Sequence, residues 1–487
     1  MMKTREGANA HEHSLDHVVE FFSKAGSLMK GSKKVSFYPS EEGALSLFQK
    51  SWIVDPLLTL KVVLQIRDCR GGSGNRSAAK ECYEWLAKND PEWLAANIGW
   101  LPLVGRWDDL KVLFGTDLEK HAVELWSAAL KEKDVLAAKW ADRSDRPLRL
   151  AMEMKIGDFR RLLAAIRAKH LVETKMCQKE WEAINYEHVP SVAMARYTKA
   201  FGKNDAERFE AYKAALSEGK AKINAKVLFP HDCIKTVVAG DEAIADAQFE
   251  ALPNYLEGTN GRPLVICDTS GSMCAPITDG SMVQRVWVSQ GLALYCSAKM
   301  PKEGPFYKKF VGFSSESKFA DWNRMKFSQA IHDRNVFDHA VGSTRIDLAL
   351  KLILKTAEFF KVTNDHMPTM LLIVSDMQFH QGTEESTSYY LPRRKGEKLE
   401  KLEKRASNET EVERCMKLWN DAGYKTPKIV YWNLAGYAGA QATVRMPNTA
   451  LVSGFSPAIL KAILTAQDFT PRGIMMEALK KYDIVAP

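Results

Sequence analysis

Two textures of apolar and polar positions divide the chain. From about residue 14 to 250, apolar residues recur at helical spacing. Pro56 opens a stretch through Leu57, Leu60, Leu64 and Ile66, and proline suits the first turn of a helix. Ser77 before Ala78-Ala79-Lys80-Glu81 reads as an N-cap followed by strong helix formers. Pro91 opens another stretch through Trp93, Leu94 and Ile98. Further helices are predicted at about 118–131, 157–170, 191–202, 204–217 and 241–253, punctuated by Gly115, Pro147, Gly157 and Gly202-Lys203-Asn204. Roughly ten helices with short connections and no period-2 strands predict a HEAT-like solenoid of stacked pairs, although no fixed repeat length emerges.

After Asn260-Gly261-Arg262-Pro263 the texture changes. Leu264-Val265-Ile266-Cys267, Met370-Leu371-Leu372-Ile373-Val374 and Ile429-Val430-Tyr431-Trp432 are short apolar runs of the kind that strands buried on both faces carry. Between them, Ile346, Leu350, Ile353, Ala357 and Phe360 share one helix face, and 282–298 reads as a helix through Val283, Val286, Trp287 and Leu294. Strands alternating with helices predict a mostly parallel, Rossmann-like sheet covered on both faces. The expected organisation is a flexible N-terminus at 1–13, a helical-repeat domain at 14–259 and an α/β domain at 260–487. Within the last, the charged stretch 392–414 is expected to be a solvated loop or helix.

The 487 residues carry 46% hydrophobic and 26% charged side chains, which excludes a mainly disordered or collagen-like chain. No apolar run is long enough to span a bilayer, and Met1 to His13 lacks the apolar core of a secretory signal. Eight scattered cysteines with no C-x-x-C spacing argue against a zinc ribbon or a disulfide framework. Both features predict a cytoplasmic location. The net charge of +8 divides as +2 over residues 1–262 and +6 over 263–487, so total charge points only weakly to an anionic partner.

Chemistry concentrates at strand ends. Asp268-Thr269-Ser270-Gly271-Ser272 follows the first predicted strand, and Asp376 follows the second. Ligands of open α/β sheets bind outside the carboxyl ends of the strands. Thr344 lies just before the helix at 345–360 and is expected at the same edge. Carboxylates with hydroxyls form a hard oxygen set suited to Mg²⁺ or Mn²⁺, with waters or a partner's carboxylate completing the octahedron. Asp268, Ser270, Ser272, Thr344 and Asp376 together resemble the metal-ion-dependent adhesion site (MIDAS) of von Willebrand factor A domains. That resemblance implies a docking site for an acidic side chain of a protein partner, and no catalysis. Competing motifs fail. The Asp-Thr-Ser-Gly string departs from the aspartic-protease loop at Ser270, and Arg70-Gly71-Gly72-Ser73-Gly74-Asn75-Arg76 lacks a P-loop's Gly-Lys-Ser/Thr ending.

A helical array before such a domain resembles the Ro autoantigen (TROVE module) proteins. Arg67-Asp68-Cys69-Arg70-Gly71-Gly72, Gly105-Arg106-Trp107-Asp108-Asp109-Leu110, Glu173-Thr174-Lys175-Met176-Cys177 and Lys222-Ile223-Asn224-Ala225 are similar to a Ro-related family in plants, fungi, bacteria and phages. The Ro resemblance implies a helical ring that binds small noncoding or single-stranded RNA through basic residues, with no DNA specificity evident. Phosphate neutralisation needs clustered Arg and Lys. The densest cluster is 143–175, where Arg143, Arg146, Arg149, Lys155, Arg160, Arg161, Arg167, Lys169 and Lys175 face four acids. Arg67, Arg70 and Arg76 around the glycines form a second candidate, since bare N–H groups of a Gly-rich turn can hold a phosphate. The alternative function is a metal-dependent interaction scaffold with no RNA role, its basic segment facing an acidic protein.

Overall fold

A computed structural model describes residues 2–4, 6–28, 43–168, 171–225, 227–257, 261–277, 281–300, 305–337, 342, 344–380, 409–437 and 439–487. Short polar side chains start many of the helices. Asp16 accepts from Val18 and Val19 N (2.8 and 3.1 Å) ahead of the helix His17–Ala25. Asp55 accepts from Leu58 N (2.9 Å), with Pro56 in the first turn of Pro56–Arg67. Asn75, and not Ser77, caps Arg76–Asn89 by accepting from Ala78 N at 3.2 Å. Each such cap satisfies a donor that the helix itself leaves open.

Eight strands occur among the described residues. β1 (Met2–Lys3) and β2 (Asn9–Ala10) form an antiparallel hairpin. β3 (Pro263–Asp268), β4 (Lys309–Phe313), β5 (Ser317–Asp321), β6 (Met370–Ser375), β7 (Lys428–Asn433) and β8 (Thr449–Ser453) make one sheet. Its order is β5-β4-β3-β6-β7-β8, parallel except for the β4–β5 pair. The three apolar runs predicted as strands are β3, β6 and β7, and their alternate residues enter opposite cores. Val265, Cys267, Leu372, Val374, Val430 and Trp432 pack with the helix Arg285–Lys299, while Leu264, Ile266, Leu371, Ile373, Ile429 and Tyr431 pack with Ile346–Phe359 and Glu411–Asp421. Of the predicted face of that second helix, Phe360 alone departs: it follows the last turn and is exposed.

The core on the Arg285–Lys299 side continues without interruption into the helical half. His17–Ala25 packs on β8 and on Ala44–Val54, and packing then runs through Arg76–Asn89, the turn Trp107–Leu113, Glu119–Lys131 and Val135–Trp140 to Ile156–Ala168. A separate cluster built on Ile184, Met194, Phe201, Phe209 and Ile244 carries the chain onward from Val172. The helix Pro230–Val238 then packs on Arg285–Lys299. Both ends of the helical array therefore rest on the α/β half and close a circuit of contacts.

Two expectations are corrected. The N-terminus expected to be flexible is tied down in its described residues: beyond the hairpin, His11 exchanges both backbone hydrogen bonds with Ala440 (2.8 Å each). Nor is the Gly-rich segment an open phosphate cradle, because the chain fills it. Arg70 N and Gly71 N donate to Asp68 Oδ1 (2.8 and 3.0 Å), Ser73 N to Gln65 O (2.9 Å) and Asn75 N to Ile66 O (2.8 Å). The glycines are needed for close approach, since a Cβ on Gly72 would stand 1.9 Å from Gln65 O.

Arg67, proposed for RNA, is likewise corrected. It is buried, and Asp109 Oδ2 accepts from its Nε (2.8 Å) and lies 2.6 Å from Nη2. Removing the charge from one member of a buried pair costs about 3–5 kcal/mol. Asp109→Asn is therefore expected to lower the unfolding free energy by that amount in urea titrations.

His231 marks the closure of the circuit. It is buried, its Nδ1 has no partner, and burial holds its pKa below the usual histidine value. The unfolded chain takes up this proton more readily than the folded one, so stability falls as pH drops below about 6.5. Melting temperatures measured between about pH 7.5 and 5.5 are expected to fall less steeply in His231→Leu than in the parent.

Candidate metal centre

The sheet reverses its winding at β3. From β3 the chain crosses by Arg285–Lys299 to β4 on one side, then returns by Ile346–Phe359 to β6 on the other. Crevices at such switch points are where open α/β sheets bind ligands. Asp268 ends β3 and Asp376 follows β6, so the two carboxylates meet there, both fully buried.

The surrounding chain holds each donor. Asp268 Oδ1 accepts from Ser270 N (2.9 Å), and Oδ2 accepts from Ser375 Oγ (2.5 Å). Ser375 in turn accepts from Met377 N at 3.0 Å. Ser270 and Ser272 hydroxyls lie 3.2 Å apart. Thr344 is placed by its neighbour: Arg345 N donates to Ser314 O (3.0 Å), and its guanidinium forks onto both oxygens of buried Asp347 (2.8 and 2.9 Å). Met377 has φ of 65°, a left-handed conformation uncommon for this side chain, and such strain collects at functional sites.

The two buried carboxylates disfavour each other's charge. Burial, then the neighbouring Asp376 carboxylate, pushes the Asp268 pKa well above the usual range, against the hydrogen bonds from Ser375 and Ser270. Thr344 Oγ1 and Asp376 Oδ2 are both buried and have no hydrogen-bond partner among the described residues. A buried oxygen without a partner calls for an explanation such as strain, a water or a bound ion. A hard divalent cation would satisfy both atoms and offset the repulsion. Among the described residues no group of three or more His, Cys, Asp or Glu gathers for metal binding, so any cation here would rely on two carboxylates and on hydroxyls.

Sequence reasoning missed three groups here. Ser375 anchors Asp268, and His380 N donates to Thr344 O at 2.8 Å. Glu6, from the hairpin turn, accepts from Thr344 N at 2.7 Å through Oε2. A hydroxyl beside the strand-end aspartate was a visible signal for Ser375; an isolated glutamate 338 residues away was not.

The RNA candidates separate by partner. Arg143, Arg146 and Arg160 are exposed, and among the described residues none engages a carboxylate. Arg161 is exposed but pairs with Asp158. Arg167 gives its guanidinium to Ala138 O (2.8 Å) and Ala141 O (2.5 Å), Arg149 to Met154 O (3.1 Å), and Lys175 its amine to Ala183 O (2.7 Å). Arg70 bonds Leu103 O at 2.9 Å, while Arg76 pairs with Asp108 and Asp109 (2.8 and 2.9 Å). Lys169 and most of the charged stretch 392–414 lie outside the described residues.

A helical half followed by an α/β half, with paired carboxylates at a switch point, defines the class. The chain belongs to the family described as a domain of unknown function (DUF2828), which matches residues 4–142 and 149–257. A second domain of unknown function (DUF7788) matches residues 262–483. Over 98% of its length the chain is similar, at 23% identity, to an uncharacterized protein of Acanthamoeba polyphaga mimivirus, of which 87% is covered. Among solved structures it is similar to the Ro protein of Deinococcus radiodurans, at 13% identity and TM-score 0.36, over 96% of this chain and 100% of that one.

The centre makes a distinct thermal prediction. Asp376→Asn relieves one buried negative charge, so in chelator its melting temperature is expected to equal or exceed that of the parent. Adding Mg²⁺ is expected to raise the parent's melting temperature and leave the variant's unchanged, since only a folded state that binds the ion is stabilised.

Proposed function

We propose that this chain is a Ro-like RNA-binding protein that acts without catalysis in the cytoplasm. Small noncoding or single-stranded RNA would contact the exposed face around Arg143, Arg146 and Arg160. The observation that carries the reading is that these guanidiniums, on neighbouring segments, are exposed and engage no carboxylate among the described residues. The motif resemblance to the Ro class supports it. Lys155, exposed on the same stretch, adds to the surface. Arg67, Arg76 and Arg167 serve the fold instead, through the partners already described.

In the same reading, Asp268, Ser270, Ser272, Thr344 and Asp376 hold Mg²⁺ or Mn²⁺. The cation supplies a positive charge that takes an acidic oxygen from a protein group. The orphaned Thr344 and Asp376 oxygens support this part. They equally favour the alternative, a metal-dependent interaction scaffold with no RNA role. No described helix is long and apolar enough to cross a membrane.

Filter binding separates the two. The RNA reading expects affinity near 0.15 M salt that declines log-linearly as salt rises. Replacing Arg143, Arg146 and Arg160 with alanine together should reduce that slope by about 2, at roughly 0.7 per phosphate contact on single strands. No binding, or an unchanged slope, would leave the scaffold.

A further inference from the structure

The N-terminal hairpin ends on the metal centre. Its turn is closed by Thr4 N on Ala8 O (2.8 Å) and Gly7 N on Thr4 O (3.0 Å). The turn is then fastened to the loop that follows Asp376. Thr4 Oγ1 donates to Phe379 O at 2.5 Å, Ala8 N reaches the same carbonyl at 3.4 Å, and Gly7 bridges to His380. Ala8 is 1% exposed, buried in the core on the Ile346–Phe359 side of the sheet. This seating leaves Glu6 at the tip, with its carboxylate on the Thr344 amide.

The hairpin thus delivers an anion to the very residue whose hydroxyl oxygen is buried and orphaned, beside a loop whose Asp376 oxygen is orphaned too. With no cation, the hairpin seats a further anion on the Thr344 amide, at an edge where the buried Asp268 and Asp376 carboxylates already repel each other. Hydrogen bonds alone gain about 1 kcal/mol each. A divalent cation reverses the sign of the interaction and makes the same placement favourable. The mixed set of two carboxylates and three hydroxyls also leaves a Mg²⁺ octahedron open to one more acidic oxygen.

We infer that Glu6 is the acidic group this centre takes, supplied in cis through one bound water. The cation then clasps the N-terminal hairpin to the α/β half instead of holding a docking site open. The inference rests on the metal reading of the preceding subsection. It adds the identity of the carboxylate.

The test is Mn²⁺ binding to the full chain, followed by electron paramagnetic resonance of the free ion. Parent, Glu6→Gln and Asp376→Asn are compared, with hydrogen exchange of residues 2–11 in each. Glutamine keeps an oxygen for the Thr344 amide, so the hairpin can still seat without its charge. The expected result is a parent site that weakens by roughly 10–100-fold in Glu6→Gln, the range for losing a group that supports a metal's ligands. Sodium acetate is expected to restore part of that affinity in Glu6→Gln and to do nothing for the parent. Mn²⁺ should slow exchange of residues 2–11 in the parent only. Parent and Glu6→Gln binding Mn²⁺ equally, with exchange unaffected by the ion, overturns the clasp and leaves the metal site standing. No Mn²⁺ binding by the parent overturns both.

Discussion

The arrangement depends on covering one strand. β8 is the sheet's outer parallel strand, and an exposed edge presents unpaired N–H and C=O groups to any other chain. Here the edge is taken by the chain's own beginning. Ser453 Oγ donates to Phe22 O (2.9 Å), Gly454 N to Ser27 Oγ (2.8 Å) and Ser27 Oγ to Asn433 O (2.6 Å). Ser73 closes the joint from the Gly-rich segment by donating to Ser453 O at 3.2 Å. The approach is tight enough that a Cβ on Gly26 would stand 2.6 Å from Ser73 Oγ, and one on Gly454 2.6 Å from Ser73 Cβ. Gly454 also has φ of 105°, so both space and backbone favour glycine there.

That joint explains why the two halves share a core. Residues 17–28 belong by sequence to the helical array but are packed as part of the sheet's covering layer. The C-terminal end reciprocates: Lys481 Nζ and Tyr482 Oη both reach Asp68 Oδ2, at 2.6 and 3.0 Å. Asp68 therefore holds the glycine turn with one oxygen and the chain's end with the other. The pairing with Lys481, helped by the Arg70 and Gly71 amides, keeps its pKa low despite burial.

How much of this could be read in advance follows from where each signal lies. β3, β6 and β7 are apolar on both faces, so their runs stand out without any partner being known. β5 is half-exposed and antiparallel at an edge, and β4 carries Gly312 in its middle, so neither has a clean period. The strand-end donors Asp268, Ser270, Ser272 and Asp376 were legible because local register places them. The fate of an arginine was not. Arg67 and Arg143 look alike in a basic stretch, yet Asp109, 42 residues on, turns one into a structural ion. A charge count measures content, whereas availability depends on distant carboxylates and carbonyls that only the fold brings close.

The same logic connects the two sites physically. Several basic side chains of the helical half fix helix ends and turns, as Arg167 does for Val135–Trp140. Arg143, Arg146 and Arg160, which engage no carboxylate among the described residues, sit on an array that rests at both ends on the α/β half. Neutral hydroxyl bonds at the β8 joint hold one end with about 1 kcal/mol each. The proposed clasp through a cation would add a charge interaction at the carboxyl edge of the sheet, one that depends on the ion. On the proposed metal reading, a bound cation would draw the hairpin onto the sheet through Glu6. The rigidity of the helical surface would then be tied to the chemistry of the switch point, through residues 11–16 that lead from the hairpin into His17–Ala25.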